Sequence, residues 1–159
     1  MKKFLMMTLC AVLVLSLVAC GGKGGNKGGA GDSMALTDMV DKLYEGISAD
    51  NMPAVMTQEV PAEAFEGVFF IPAVDGAEGV MSEPMMSSVA WSVCLLRVAE
   101  GTDVETVRAD IEKNMNPAKW LCVEAEKSSV VANGNTILLV MTSDDAHDII
   151  VKNFNGLWK

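Results

Sequence analysis

Histidine occurs once in this 159-residue chain, at His147. That scarcity already limits the chemistry. No G-x-S-x-G, H-E-x-x-H or C-x-x-C motif occurs, and no glycine loop of the phosphate-cradling kind. A nucleophilic enzyme would need Cys94 or a serine beside His147. Cys94 sits in the middle of an apolar strand pattern, where a packed thiol is inert. His147 lies in "DDAHD", with Asp144 three residues earlier on the same helical face. Two side chains do not fill a tetrahedral zinc site or a calcium shell, so no metal is expected there. Carboxylates are spread along the whole chain, and none stands out as a pair for glycoside cleavage.

Basic residues are also few, 12 against 21 acidic, for a net charge of −9. A chain of that sign repels nucleic acid and anionic surfaces, so nucleic-acid binding is disfavoured. Four cysteines are present: Cys10, Cys20, Cys94 and Cys122. Cys94 and Cys122 are a possible disulfide in an oxidising compartment, worth about 3.5 kcal/mol in the chain-entropy model. The favoured alternative is two thiols packed as small apolar residues.

The amino end opens on Met1, Lys2 and Lys3 and continues as an apolar run over residues 4–19, broken by Thr8 and Ser16. A positive start, a short apolar stretch and a small residue before a cut site predict a secretory signal. The run falls short of the roughly 20 apolar residues that span a bilayer, which leaves a transmembrane anchor as the second reading. "LVAC" (residues 17–20) resembles a bacterial lipobox, in which the cysteine takes a diacylglyceryl group and the signal is cut before it. The resemblance implies residues 1–19 as signal peptide and Cys20 as the lipidated first residue of the mature chain. Two or more acyl chains, at roughly 0.8 kcal/mol per buried methylene, anchor a protein stably where one does not. A plain signal peptide with an incidental cysteine is the bland alternative. Loss of Lys2 and Lys3 takes the net charge to −11.

Residues 21–33 hold seven glycines and no large apolar side chain. They predict a tether with a mean reach of roughly 20 Å. Residues 34–159 then suit one domain. Leu36, Met39, Val40, Leu43 and Ile47 recur at helical spacing and predict a helix over 35–48, capped by Ser33 or Thr37. Residues 51–63, with Pro53 and Pro61, read as a loop. "GVFFIP" (67–72) reads as a strand, and 72–86 as a long connection. "SSVAWSVCLLRVA" (87–99) is the strongest strand, with Val89, Trp91, Val93 and Leu95 on one face. Thr102 and Glu105 form a capping box for a helix that Pro117 ends. "SSVVANGNTILLVMT" reads as a hairpin turning at Asn133-Gly134. The last segment reads as a helix with Asp144, Asp145 and Asp148 near its start. The expected fold is therefore α+β: a helix, then two strand–strand–helix units. They would build a four-stranded, mostly antiparallel sheet with helices packed on one face.

Three stretches, "LTDMVDKLYEGI", "EPMMSSVAWSVCLLRVAEGTDVETVRADIE" and "VVANGNTILLVMTSDDAHDIIVKNF", give the chain a resemblance to domain-of-unknown-function family 4358, lipoproteins of Gram-positive anaerobes. The resemblance implies location and layout. It carries over no catalytic residue, because the family has no established activity.

Met81, Met85 and Met86 fall in the proline-bearing connection. Core filler, an adaptable apolar contact surface and a soft copper(I) site are the three readings, in that order. The expectation is a lipid-anchored protein on the extracytoplasmic side of the cell membrane, without cofactor. Its domain would bind a protein, an envelope polymer or a small ligand through the 72–86 connection. The alternative is an envelope hydrolase or metal-binding protein using scattered carboxylates and His147.

Overall fold

The computed structural model describes residues 30–159. The signal, Cys20 and most of the tether lie outside the described residues. The domain is α+β and is built on a single sheet in which every neighbouring pair is antiparallel. In chain order the elements are α1 (Leu36–Leu43), β1 (Val55–Val60), α2 (Phe65–Phe69), β2 (Glu78–Pro84) and β3 (Ser92–Arg97). They continue with α3 (Val104–Asn114), β4 (Lys127–Asn133), β5 (Thr136–Thr142) and α4 (Asp144–Gly156). The sheet has five strands in the order β1-β2-β3-β5-β4, not the four expected.

The differences have local causes. β1 lies inside the segment read as a loop. As an edge strand with its four central residues exposed, it shows no in–out alternation to read. No strand forms at 67–72: its first three residues belong to α2 and the rest is irregular. Phe65 and Phe69 stand four residues apart and pack edge to face at 5.2 Å, which needs a helical turn between them. Phe70 ends the turn at φ 61°, the one non-glycine residue described at positive φ. β2 occupies the expected connection and is rich in residues of low strand propensity, "EGVMSEP".

Helices cover both faces of the sheet, which corrects the one-sided packing. β3 and β5 are apolar on both sides, so each side needs a cover. Val93, Leu95, Leu138 and Val140 pack with Met39 and Leu43 of α1 and Ile150 and Phe154 of α4. Cys94, Leu96, Ile137 and Leu139 pack on the opposite face with Phe65 and Phe69 of α2 and Ile111 of α3.

Helix ends also depart from expectation in detail. α1 is shorter and has no side-chain cap at Ala35. α3 is capped by Asp103 rather than Thr102; the Asp103 carboxylate accepts from the Thr106 N–H at 3.2 Å. The hairpin turn is as expected, with Gly134 at φ 55°. Asn153 of α4 donates to the carbonyls of Leu43 (3.0 Å) and Glu45 (2.8 Å). It thereby satisfies acceptors left open where α1 ends.

Residues 30–33 belong to the domain, so the expected tether ends earlier than residue 33. The Gly31 N–H donates to the Leu157 carbonyl at 3.1 Å, and the Gly31 carbonyl accepts from Arg97 at 3.0 Å. The Asn135 N–H donates to the Asp32 carboxylate at 3.3 Å. A side chain on Gly31 would overlap the Trp158 ring, whose atoms lie 2.6 Å from where a Cβ would stand. Only glycine fits under that ring.

Candidate functional site

The chain enters the domain at one end of the sheet, marked by Arg97 at the close of β3 and by the β4–β5 turn. The opposite end is where β2 finishes and β3 begins, about 20 Å away along a six-residue strand. It carries the 85–91 loop, and the 115–126 loop is fastened to it.

The fastening is a polar clasp. Lys119 Nζ donates to Glu83 Oε1, at the end of β2, and to Ser92 Oγ (3.3 Å), at the start of β3. Ser92 Oγ in turn donates to Glu83 Oε1 at 2.6 Å. With that proton committed, the Cys94 thiol donates to Ser92 Oγ at 3.3 Å. Glu83 and Lys119 keep 21% and 16% of their side-chain exposure, so water screens the pair only in part. Lys119 also lies 5.2 Å from the Trp120 ring centre. Trp120 turns into the core beneath the sheet.

Apolar side chains fan out from this clasp into solvent. Leu121, two residues beyond Lys119, is 97% exposed; Met85, two beyond Glu83, is 82% exposed, and Met86 71%. Two residues of extended chain span at most about 7 Å, so these side chains spring from one locus. Val89 and Met56 add to it; Met56 pairs in register with Glu83 on β1. Large apolar side chains left exposed at one end of the sheet make that end the candidate interaction surface.

The three methionines do not stay together. Met81 lies in β2, half-buried against the α2–α3 side of the core and opposite Cys94. It is core filler, and its place in the contact surface is corrected. Met85 is four strand residues further on, roughly 13 Å along the chain. The methionines therefore do not converge as a three-thioether copper site, while Met85 and Met86 are not filler.

Cys94 and Cys122 are both free, one buried and one exposed, so the disulfide is not formed. Burial pushes the Cys94 thiol up to about 12, which keeps it protonated and without nucleophilic character.

His147 has a serine beside it after all. Its Nε2 lies 2.8 Å from Ser129 Oγ on β4, and its Nδ1 3.1 Å from Asp148 Oδ1. Lys127, with His147 second, holds the Asp148 carboxyl below the usual carboxylate range. The order serine–imidazole–carboxylate matches that of a proton relay. The carboxylate, however, is 68% exposed and bonds its own chain neighbour. The groove described below lies elsewhere, at the end where the chain enters. The Asp144 backbone N–H donates to the Glu126 carboxylate at 3.1 Å. Among the described residues no three His, Cys, Asp or Glu side chains come together as a metal site.

An open groove of about 450 Å³ lies between the start of α1 and the β1–β2 pair, lined by Leu36, Thr37, Glu59, Val60 and Glu78. β1 and β2 pair Val60 with Gly79 beside it, at the end where the chain enters. The sequence reading gave no sign of this groove or of the clasp. Glu59, Val60, Glu78, Glu83 and Lys119 come from segments without readable periodicity, and Glu83 and Lys119 stand 36 residues apart. Comparison with protein-family models, curated proteins and solved structures finds no match for this chain.

Proposed function

We propose that the protein is a lipid-anchored, extracytoplasmic binding module that captures a protein partner through Met85, Met86 and Leu121. The observation that carries this reading is polarity. The chain enters at one end of the sheet, and the exposed apolar side chains crowd the other. A tether from Cys20 would hold the first end near the membrane and leave the second facing outward. Methionine suits such a surface because its flexible thioether adapts to varied apolar contacts. The lipobox resemblance at residues 17–20 and the likeness to family 4358 support the address; they say nothing of the partner.

The test places a photo-crosslinking residue at position 121 and, as control, at position 100 on the entry side, in intact cells. Position 121 is expected to give a discrete adduct that position 100 does not. Met85→Ser with Met86→Ser is expected to reduce that adduct at least fivefold. Stability should stay within about 0.5 kcal/mol, as is usual for exposed positions. An adduct indifferent to the two serines would sink the reading. Mass spectrometry of the native protein tests the address separately, since an unmodified Cys20 would remove the anchor.

A second reading rests on the Ser129–His147–Asp148 array, which has relay distances on an edge strand. As a hydrolase it would label at Ser129 with a fluorophosphonate probe, and Ser129→Ala would abolish labelling. We expect no labelling, because the relay serves to tie the first turn of α4 to β4. A stoichiometric Ser129 adduct would reverse that expectation.

A further inference from the structure

The two edges of the sheet are treated differently. β4 is a guarded edge: it carries Lys127, and Val130 and Val131 are packed on opposite faces. A charged residue on an edge and cover on both faces are the usual means of keeping other strands away. β1 is covered only at its ends, where Val55 and Val60 pack on opposite faces, and its one charged residue is the acidic Glu59. Its sequence "VMTQEV" contains no lysine, arginine or proline, and its register with β2 runs unbroken for six pairs without a bulge. Its central residues, Met56 to Glu59, are exposed on both faces. Along such an edge, alternate residues present N–H and C=O groups that no strand among the described residues receives.

The open edge runs directly into the apolar end of the molecule. Val55 pairs with Pro84 and Met56 with Glu83, so β1 begins beside Met85 and Met86. It finishes at Glu59 and Val60, which line the groove together with Glu78. One strip of surface therefore changes from thioethers to backbone to carboxylates along its length.

We infer that β1 is a docking edge for an extended segment of a partner protein, which adds to the sheet as a sixth strand antiparallel to β1. The segment has basic side chains toward its amino end, against Glu59 and Glu78, and apolar side chains toward its carboxyl end, against Met56 and Met85. Main-chain bonds supply the attachment, and the two ends supply direction and selectivity. A peptide reversed in charge meets an edge and a domain that are both acidic, and is rejected. This inference rests on the binding reading above and gives it a mode.

The probe is a blocked ten-residue peptide with two lysines near its start, alternating valine and threonine in the middle and two leucines at its end. Hydrogen–deuterium exchange is followed on the full chain in detergent. The peptide is expected to slow exchange at least tenfold at amides within residues 55–60 while leaving β4 unchanged. The same peptide N-methylated at alternate residues along one edge is expected to lose that protection, as is a version with glutamate in place of lysine. Absence of protection at millimolar peptide would overturn the inference. So would protection indifferent to N-methylation, which would mean contact through side chains alone. Protection that grows with protein concentration before any peptide is added would assign the edge to a second copy, and would equally overturn it. Failure here is distinct from failure of the binding reading. That reading falls when the Met85 and Met86 serines leave cross-linking intact, whatever happens at β1.

Discussion

Phe69→Ala is expected to lower the stability of the domain by about 3–5 kcal/mol, the range for deleting a buried aromatic ring. Whole domains are stable by about 5–15 kcal/mol, so the variant should melt near working temperatures or fail to accumulate. Phe69 is fully buried, packs edge to face with Phe65, and lies across the start of β2. Gly79 sits beneath it. A Cβ at Gly79 would stand 2.9 Å from the Phe69 ring and 3.2 Å from Val60 Cβ. Gly79→Ala alone should therefore cost about 1–3 kcal/mol through overpacking. In the Phe69→Ala background the ring is gone and the added methyl fills part of the void. The double variant should be less destabilised than the two single effects together, by at least about 1 kcal/mol. Urea unfolding of the four proteins measures this directly. Additivity within about 0.5 kcal/mol would show that the ring is not what keeps glycine at position 79.

That pair also shows why part of the fold escaped the sequence. "GVFFIP" has the composition of a strand, and only the i,i+4 relation between Phe65 and Phe69 argues for a helix. The deciding fact is tertiary: the ring needs a strand with no side chain at Gly79 to lie on. β2 has its glycine for that reason and so looks like a connection. β1 is illegible for a different cause, since a strand exposed on both faces has no periodicity to display. Where burial is one-sided or symmetric, the pattern reads correctly. α1, α3, α4, β3 and the Asn133–Gly134 hairpin were all legible from apolar spacing and turn chemistry.

The candidate site was legible only in its exposed tip. A proline-bearing stretch with three methionines offered a contact surface as its second reading, after core filler, and the structure exposes Met85 and Met86. Core filler, the first of the three readings, holds for Met81, because the segment around it is a strand whose alternation sends that thioether inward. Leu121, the Glu83–Lys119 clasp and the Ser129–His147 contact join residues far apart in sequence. No local periodicity encodes such pairings. The one available sign was Lys119-Trp120 in an otherwise aperiodic stretch, where a cation beside an aromatic ring suggests a fixed loop.

The clasp can be tested for both stability and presentation. Glu83→Ala removes the partner of an ammonium that is only 16% exposed, and takes the acceptor from the buried Ser92 hydroxyl. Breaking a buried pair from one side costs about 3–5 kcal/mol; partial contact with water brings this to about 2–3 kcal/mol. Lys119→Met keeps the aliphatic stem against Trp120 and leaves Glu83 bonded to Ser92, so about 1–2 kcal/mol is expected from the lost charged hydrogen bonds. Met85 and Met86 are untouched in that variant. What changes is the 115–126 loop, which loses its tie to β2 and β3. If Leu121 works with the methionines as one surface, Lys119→Met should reduce cross-linking of the partner through Met85 as well, at a temperature where the domain remains folded. Cross-linking that survives Lys119→Met but not Met85→Ser would confine the binding surface to the β2–β3 loop. The clasp would then be a device of stability alone, holding Trp120 in the core.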